Sequence, residues 1–351
     1  MPRPGQPLVF ATLSFLLLCN GCTHSAPPAK ATDLSRSEKA GYRLLKEQKK
    51  GMGTLFQIQV WSQNPEQDLP LLKEALARMD ETEQTMSEWL SDSEVSQLNH
   101  RAGKQPLAVS QELYEVLKIG REISQISRGA FAMTWAALRG LWNFNQHIIP
   151  TKEEIEPRLA LIGDEDIEMR QWEFTPGSPK VRLKRPGMQL GLGGIAKGYA
   201  LDQAMQILVD GGIRNALIFA GGDILTRSEP GFRPWKIAIE DPRSETPLGV
   251  LHIPEGAVAT SGDYEKFFIK DGKRYHHLLD PRTGFPAPHH SSVTVVTDAG
   301  VKADAWATAL FIMEPKDAID VVEYYNDLEA IIVNAKGEIF ISDGLEDLFV
   351  R

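Results

Sequence analysis

Short strand signals follow one another closely in the second half of this chain, and they constrain its fold more than any other feature. After residue 210, apolar runs that favour strands recur with few helical stretches between them, at residues 216–220, 235–239, 250–253, 267–269, 292–296, 330–333 and 339–341. Neighbouring runs of this kind pair as antiparallel hairpins, whereas a doubly wound sheet alternates strands with helices. The pattern therefore predicts an α+β fold with mixed or antiparallel sheets and packed helices.

The rest of the chain has clear helical signals and fewer strand signals. Apolar residues recur at helical spacing in residues 69–89, 110–127, 195–209, 304–313 and 317–325. Residues 54–61 alternate as a strand, and residues 189–191 are expected to end another. Residues 148–187 are rich in Pro, Gly and charge, so we expect an insertion or short hairpins there. The 351 residues allow one large domain or two small ones.

The first residues of the chain have the composition of an export signal. Arg3 precedes an apolar run at residues 8–18. This run is shorter than the roughly 20 residues that a membrane-spanning helix needs, and its length suits the core of a signal peptide. We therefore expect a signal peptide at residues 1–21. A secretory signal that is cleaved without lipidation is the alternative.

Both cysteines of the chain lie at the end of this signal. Cys22 follows the small residue Gly21 and resembles a bacterial lipoprotein processing site, whereas Cys19 follows a bulky leucine. The folded part of the chain thus has neither a disulfide framework nor a thiolate metal site. We expect residues 22–50 to hold the lipidated Cys22, a polar tether and a short basic helix, and residues 51–351 to form the folded domain.

The charge balance limits the partners of this protein. Lys and Arg number 38 against 47 Asp and Glu, which gives a formal net charge of −9. This balance argues against a nucleic-acid binder that relies on diffuse positive charge. An anionic substrate would need locally concentrated cations or a metal ion.

A glycine-rich loop at residues 191–199, with the sequence GLGGIAKGY, is the strongest local motif. A loop of this kind that enters a helix offers free backbone N–H groups and the positive end of the helix dipole to a phosphate. Lys197 would add a charge in the first turn of that helix. The loop is not a P-loop, because Gly198 stands where Ser or Thr would hold the metal. A tight packing of helix against strand is the structural alternative.

The same loop also matches a dinucleotide-binding fingerprint. Gly191, Gly193 and Ala196 have the spacing G-x-G-x-x-A. The acidic residue expected about 20 positions later is ambiguous, since Asp210 lies where the helix joins the next strand. A nicotinamide-dependent oxidoreductase is therefore an alternative function.

Two adjacent histidines precede a turn that also carries an arginine. His276 and His277 lie in an extended segment and face opposite ways, so at most one readily enters a site. The turn at residues 280–284 has the sequence DPRTG, and a plain hairpin turn is its default interpretation. One histidine with Arg282 would form a base and an anion clamp.

Asp304 and Thr308 lie four residues apart in a predicted helix, so they share one helix face. A carboxylate and a hydroxyl suit Mg²⁺ or Ca²⁺ rather than zinc. A solvated face or a cap is the ordinary interpretation of this spacing, but the alanines around it would let a ligand approach the backbone. The segments at residues 221–223 and 259–264 are expected to be structural turns by default.

Taken in order, these segments resemble the bacterial FAD:protein FMN transferases, the ApbE-type thiamine-biosynthesis lipoprotein family. The resemblance covers most of residues 50–315 and is carried by residues 52–54, 87–89, 93–99, 129–131, 142–144, 191–199, 221–223, 259–264, 277–284 and 303–310. It implies a single large catalytic domain that is ApbE-like and related to the T-fold. It also implies transfer of FMN from FAD to a Thr or Ser hydroxyl of a target flavoprotein, with release of AMP and a need for one or two Mg²⁺ ions. The implied location is extracytoplasmic, on a lipid anchor in the bacterial envelope.

The resemblance also assigns roles to individual residues. Those that match FAD-contacting positions are Met52, Trp89, Ala130, Phe131, Ala132, Gly191, Lys197 and Leu278. Those that match the metal site are the main-chain oxygen of Gly194 with Asp304 and Thr308, and more weakly Ala307. His277 matches the histidine that activates the acceptor hydroxyl.

Two positions depart from the family pattern. The family usually has Asp where this chain has Gly191 and Ala132. The loss of two carboxylates beside the nucleotide motivates a second hypothesis, a lipoprotein of the same fold that binds FAD or hydrolyses it to FMN and AMP.

Overall fold

The computed structural model describes residues 41–170 and 177–351. Its strands are β1 (Arg43–Gly51), β2 (Thr54–Ser62), β3 (Leu107–Ala108), β4 (Ile167–Arg170), β5 (Lys180–Leu183), β6 (Ala216–Ala220), β7 (Asp223–Arg227), β8 (Trp235–Ile239), β9 (Gly249–Ile253), β10 (Gly256–Gly262), β11 (Phe267–Lys270), β12 (Lys273–His276), β13 (His290–Thr297), β14 (Leu328–Asn334), β15 (Ile339–Ile341) and β16 (Phe349–Val350). Its α-helices are α1 (Pro65–Met86), α2 (Glu94–His100), α3 (Gln111–Ile126), α4 (Lys152–Leu159), α5 (Ala196–Asp210), α6 (Gly300–Ile312) and α7 (Pro315–Tyr324). None of these helices is long and apolar enough to cross a membrane. The signal peptide, Cys22 and the tether lie outside the described residues and stay predictions.

The central sheet is antiparallel throughout. Its strand order is β1-β2-β6-β7-β10-β13-β14-β15, and each neighbouring pair runs antiparallel. Three smaller sheets, β16-β9-β8, β3-β5-β4 and β11-β12, are antiparallel as well. The predicted α+β class with packed helices is confirmed, and the described residues form one domain.

The two faces of the central sheet pack against different layers. Val295 and Ala330 lie on the face covered by the helices, in one apolar core with α5 and α6. Their neighbours Val296 and Ile331 point the other way and pack with Leu251 of the small sheet β16-β9-β8. Successive side chains of a strand alternate between faces, so burial on both sides agrees with the apolar run at residues 330–333 of β14. Strand β13 is buried on both sides as well, although it alternates apolar residues with Ser and Thr.

The prediction of a short basic helix up to residue 50 is wrong. Arg43–Gly51 form β1, an edge strand that pairs along its whole length with β2. Met52 and Gly53 make the turn between the strands with φ values of 47° and 74°. The Leu, Lys and Glu residues of β1 are good helix formers, but such preferences are small in energy, and the strand pairing outweighs them. The folded domain therefore begins before residue 51.

Residues 148–187 form short elements rather than a linker. They contain α4 and the antiparallel pair β4-β5, with residues 171–176 outside the description. The expectation of short hairpins is confirmed for this pair of strands.

Helices α5 and α6 cross at their first turns with almost no separation. A Cβ at Gly198 would overlap the carbonyl oxygen of Gly300, and a Cβ at Gly300 would overlap that of Gly198. From α5, the Asp202 carboxylate accepts hydrogen bonds from the backbone N–H groups of Gly300, at 2.7 Å, and Val301, at 2.9 Å. These bonds cap the start of α6. The N-terminal turns of α5 and α6 therefore lie side by side.

The substitution Gly198→Ala should destabilise the domain by about 2–3 kcal/mol, since its Cβ would meet backbone atoms that cannot move aside cheaply. Gly193→Ala is the matched control, because a Cβ there has no neighbour within 4 Å. Urea unfolding of the purified wild type and of the two variants measures the change in the free energy of unfolding. Equal stability of the two variants would contradict the close crossing.

Candidate active site

The crossing of α5 and α6 brings three charged side chains together. The Lys197 ammonium lies 2.9 Å from Asp304 Oδ1 and 3.1 Å from Asp223 Oδ2. It also donates to the carbonyl oxygen of Gly193 at 3.1 Å, and the backbone N–H of Gly198 donates to Asp304 Oδ2 at 3.2 Å. Lys197 is thus in the first turn of α5 and Asp304 at the start of the second turn of α6, and Asp223 reaches them from the start of β7.

This cluster contains more acidic than basic side chains. Burial alone lowers the pKa of Lys197, but Asp223 and Asp304 outweigh it and hold that pKa above its ordinary value. Burial raises the pKa of Asp223, and the charge of Asp304 raises it further. One ammonium thus faces two carboxyl groups, and the pKa of Asp223 is raised to about 8.

Thr308 extends the cluster by one turn of α6, as its spacing from Asp304 predicts. A Cβ at Gly194 would lie 3.0 Å from Thr308 Oγ1 and 3.6 Å from the Phe131 ring. Gly194, Thr308 and Phe131 are therefore neighbours, and Ala307 is buried beside Thr308. Within residues 41–170 and 177–351, no group of three His, Cys, Asp or Glu side chains could hold a metal ion by itself.

His277 immediately follows β12, and its backbone N–H donates to the carbonyl oxygen of Lys266 at 3.0 Å. Burial lowers the pKa of the imidazole to about 4, with smaller contributions from His276, Lys266 and Lys197. Within the described residues, Nδ1 of His276 and Nδ1 of His277 are both buried without a hydrogen-bond partner, whereas His276 Nε2 contacts the carbonyl oxygen of Ala287 at 2.9 Å. The main chain thus holds His276 through its other ring nitrogen.

The structure does not support Arg282 as an anion clamp. Its guanidinium pairs with both oxygens of Asp280, with Nε and Nη2 each 2.8 Å from an oxygen. The turn is closed by the backbone N–H of Gly284, which donates to the Asp280 carbonyl oxygen at 2.8 Å. This segment is the ordinary turn, and it leads back to Leu278, whose carbonyl oxygen accepts from Ala287 at 3.0 Å.

Residues 130–132 face two directions. Phe131 lies towards Gly194, whereas Ala132 lines a separate groove of about 410 Å³ beside Arg121, Arg128 and Arg282. Ala130 is fully buried, and Ala132 is 6% exposed. Sequence reasoning missed the residue that fixes this segment. Asp164 is buried and accepts hydrogen bonds from Met133 N, Thr134 N and Thr134 Oγ1 at 2.8, 3.0 and 2.6 Å.

Gly191 is enclosed by the turn that follows Ala132. Its N–H donates to the Met133 carbonyl oxygen at 2.8 Å, and its own carbonyl oxygen accepts from Trp135 Nε1 at 3.0 Å. A Cβ at 191 would lie 2.9 Å from both Trp135 Nε1 and the Cβ of Ala136. The space that a larger residue would fill at position 191 is therefore occupied by the indole.

Met52 and Trp89 differ in exposure. Met52 is half-buried against the main core at the β1–β2 turn. Trp89 is 74% exposed, and the Arg139 guanidinium lies 4.4 Å from the centre of its ring. Arg139 also pairs with Glu88 at 3.0 Å, so one face of the indole is covered and the other is open to a flat ligand.

The loop before α5 does not have the strand of a dinucleotide-binding motif. Residues 189–191 do not end a strand, so that prediction is wrong. The side chain of Asn99 pairs instead with the main chain of Leu190, at 3.0 Å to its oxygen and 2.7 Å to its nitrogen. The G-x-G-x-x-A spacing needs a preceding strand in a parallel sheet, and the sheets described here are antiparallel. The nicotinamide alternative therefore loses its structural basis.

Asp223 is the charged residue of this site that sequence reasoning assigned to a turn. Gly221 and Gly222 before it have φ values of 53° and 99°. Two consecutive glycines with positive φ indicate a sharp backbone turn, and an acid directly after them can be placed in a site by that turn. The spacing alone does not reveal Lys197 as the partner of Asp223, because the two are 26 residues apart and meet only through the fold.

Comparisons with known proteins agree on one family. The model of the ApbE family matches residues 52–332. A protein named FAD:protein FMN transferase from Klebsiella pneumoniae (strain 342) is 33% identical over 257 residues, which are 72% of this chain and 78% of the relative. A protein of the same name from Treponema pallidum (strain Nichols) is 31% identical over 311 residues, 84% of this chain and 86% of the relative.

Solved structures give the same result. The ApbE protein of Thermotoga maritima is similar with a TM-score of 0.79 and 33% identity, over 88% of this chain and 100% of that chain. The flavin transferase ApbE from Vibrio cholerae is similar with a TM-score of 0.76 and 28% identity, over 88% of this chain and 99% of that chain. The match to the family model and both kinds of relative thus cover most of the described residues. The chain belongs to the ApbE family.

Proposed function

We propose that this protein is a Mg²⁺-dependent FAD:protein FMN transferase, which moves FMN from FAD to a Ser or Thr hydroxyl of a target protein and releases AMP. The observation that carries the proposal is the cluster of Lys197, Asp223 and Asp304 where two helices begin, in a chain of the ApbE family. Helix N-termini and an ammonium group suit the pyrophosphate of FAD. The relatives named above carry this activity in their names.

The proposed reaction exchanges one P–O bond for another. The acceptor oxygen attacks the phosphorus of the FMN half, and the bond from that phosphorus to the bridging oxygen breaks. The bridging oxygen leaves as part of AMP, and the proton of the acceptor hydroxyl passes to His277. Phosphoryl transfer of this kind depends on in-line positioning and on neutralised charge, and Lys197 with the start of α5 supplies part of both.

The oxygen donors of the cluster fit Mg²⁺. Asp304, Thr308 and the carbonyl oxygen of Gly194 would hold it, with Asp223 close by; Ala307 offers only a main-chain carbonyl. Mg²⁺ sites commonly use one or two carboxylates and complete their shell with substrate phosphates and water, which agrees with the small protein donor set. When bound, the ion would neutralise charge on the pyrophosphate oxygens.

His277 suits the role of proton acceptor in this proposal. Its low pKa keeps the imidazole neutral at pH 7, so one ring nitrogen is free to accept. The base belongs to the segment that continues β12. The cluster of Lys197, Asp223 and Asp304, which we call the phosphate cluster, belongs to α5, α6 and β7. The acceptor hydroxyl would therefore be placed between two different elements of the fold.

FAD hydrolysis is the second candidate function. It needs only water in place of the acceptor hydroxyl, and the departures at Gly191 and Ala132 favour it. The structure accommodates the first departure, because Trp135 fills the space beside Gly191 and bonds to its carbonyl oxygen. The flavin dinucleotide would then meet an indole where the family usually presents a carboxylate.

Covalent flavin transfer tests the proposed function directly. The purified protein with FAD, Mg²⁺ and an acceptor that carries a Ser/Thr flavinylation site should give an acceptor band that fluoresces after denaturation. Asp304→Ala should slow the transfer by about 100-fold or more, since it removes a charged donor at the phosphates. Asp298→Ala, which removes a carboxylate paired with Lys302 at the protein surface, is the control and should transfer normally. Release of FMN and AMP without a labelled acceptor would favour hydrolysis instead.

The pH dependence of transfer tests the role of His277. A base with a pKa of about 4 stays neutral at pH 5.5, so the transfer rate should change little between pH 7.5 and 5.5 and fall only as the pH approaches 4. An ordinary histidine with a pKa of about 6.5 would lose roughly nine-tenths of its neutral form over the same range. Single-turnover transfer rates measured across this pH range decide between a base with the lowered pKa and an ordinary histidine. His277→Ala should be about 10²–10⁴-fold slower at every pH and should keep its FAD affinity.

The packing of Trp135 against Gly191 predicts how a carboxylate at position 191 behaves. Gly191→Asp alone should lower both stability and FAD affinity, because its Cβ would press on the indole and on Ala136. Combining it with Trp135→Val should recover at least half of the lost free energy of unfolding, since the smaller side chain leaves room. Denaturant unfolding and FAD titration of the single and double variants measure the coupling. Additive effects would contradict a direct clash.

A further inference from the structure

The hairpin formed by β11 and β12 stands apart from the central sheet. Its two strands pair only with each other among the described residues, so both of its edges are open. Asp271 and Gly272 form its tip with φ values of 52° and 74°. At its base, the bond from His277 N to the Lys266 carbonyl oxygen extends the pairing to the proposed catalytic histidine. We call residues 266–277 the site hairpin.

The inner face of the site hairpin is firmly packed. Phe268 is 3% exposed and stacks on Tyr275 with 5.3 Å between ring centres. The His147 ring stacks on Phe268 at 4.8 Å, and Trp142 lies 6.0 Å from Tyr275. These contacts hold the hairpin as a rigid platform, so its other face has a defined position relative to His277.

The outer face of the site hairpin carries two partly exposed apolar side chains, with Arg274 and the buried His276 opposite them on β12. Phe267 is 39% exposed and Ile269 is 58% exposed, and their spacing of two places them on the same side of β11. The Arg274 guanidinium lies 3.8 Å from the centre of the Phe267 ring, and its Nε lies 3.8 Å from Asp263 Oδ2. The exposed apolar face is thus bordered by a positive group that is already paired.

The site hairpin also carries exposed positive charge in an acidic protein. Lys266, Lys270 and Lys273 are exposed, and none has a carboxylate partner within the part of the chain that the structure describes. Lys266 Nζ lies 5.8 Å from the centre of the Phe144 ring, and Lys273 Nζ lies 5.2 Å from that of Tyr275. Asp271 is the single acid between the two strands. The whole chain has a net charge of −9, so this local excess of lysine stands out against the rest of the molecule.

We propose that the site hairpin is the docking surface for the acceptor protein, and that the acceptor presents its Ser or Thr on a segment with acidic side chains. This inference rests on the proposed transferase function. Each strand of the hairpin has four residues and spans about 13 Å. An acceptor segment that lies along the hairpin would therefore place a hydroxyl near His277 at its base. An open edge offers backbone hydrogen bonds to an extended segment, and the lysines attract and orient its acids.

Charge reversal at the tip of the hairpin tests this surface. The variant Lys270→Glu/Lys273→Glu should raise the KM for an acceptor protein with a known flavinylation site by about tenfold or more. Its kcat should stay within about twofold, and its affinity for FAD should not change, because neither lysine belongs to the phosphate cluster. Lys316→Glu/Lys336→Glu has the same change of charge outside the hairpin and should leave the KM unchanged.

A second version of the acceptor, with the acids beside its Ser or Thr replaced by amides, identifies the partner of the lysines. Wild-type enzyme should show a raised KM for this version, and the charge-reversed enzyme should show little further change. Equal KM values for all four combinations would overturn the docking surface. Ile269→Ser, compared with Val350→Ser at a similarly exposed strand position of 55%, tests the apolar face in the same assay.

A binding measurement separates this proposal from the transferase function. Surface plasmon resonance of the acceptor on full-length protein without FAD should show weaker binding to the charge-reversed variant than to the wild type. Such a difference without any flavin transfer would support the docking surface and overturn the proposed function. Flavin transfer by the wild type, with equal acceptor binding by the variant, would overturn the docking surface and leave the function standing.

Discussion

The close crossing of α5 and α6 is the contact on which the site depends. Gly198 and Gly300 allow the two backbones to touch, and Asp202 of α5 caps the first turn of α6. Two helix N-termini therefore meet at one point, with Lys197 on one helix and Asp304 on the other. Any side chain larger than hydrogen at this crossing would separate the helices and also the two charges. The residues that pack the two helices together therefore also determine the geometry of the site.

The electrostatics of the site follow from this convergence. Two carboxylates and one ammonium lie together with two positive helix ends, which favours ligands that combine phosphate with a cation. An acidic protein does not attract a pyrophosphate through its overall field, so the attraction has to be local. The site hairpin adds three exposed lysines, and it contains the residues that lead to His277. Lysine side chains would thus lie beside both proposed anionic partners: Lys197 beside the pyrophosphate of FAD, and the hairpin lysines beside the acidic acceptor segment.

Local sequence patterns predicted the parts of the structure that local interactions determine. The seven strands predicted after residue 210 and the Asp304–Thr308 helix face follow from periodicity, and both are found. Strands β7, β10, β12 and β16 were missed, and residues 259–262, expected to be a turn, belong to β10 in the central sheet. Strand β1 was missed because its pairing with β2, rather than its own residue preferences, decides its conformation. The partnership of Lys197 with Asp223 and the pairing of Arg282 with Asp280 depend on where the chain folds back. No spacing rule distinguishes such contacts from solvated charges.

The division of the site between two elements has a consequence for its chemistry. The phosphate cluster is built into the core by helix packing, whereas the histidine is attached to a hairpin outside the central sheet. A transferase has to accept a small dinucleotide and a large protein in succession, and a single enclosed cavity suits only the dinucleotide. With the proposed base His277 at the foot of the hairpin, the element that would receive the acceptor would also place the group that takes its proton. Binding of the acceptor and activation of its hydroxyl would then depend on one rigid unit, anchored by the aromatic packing of Phe268 and Tyr275.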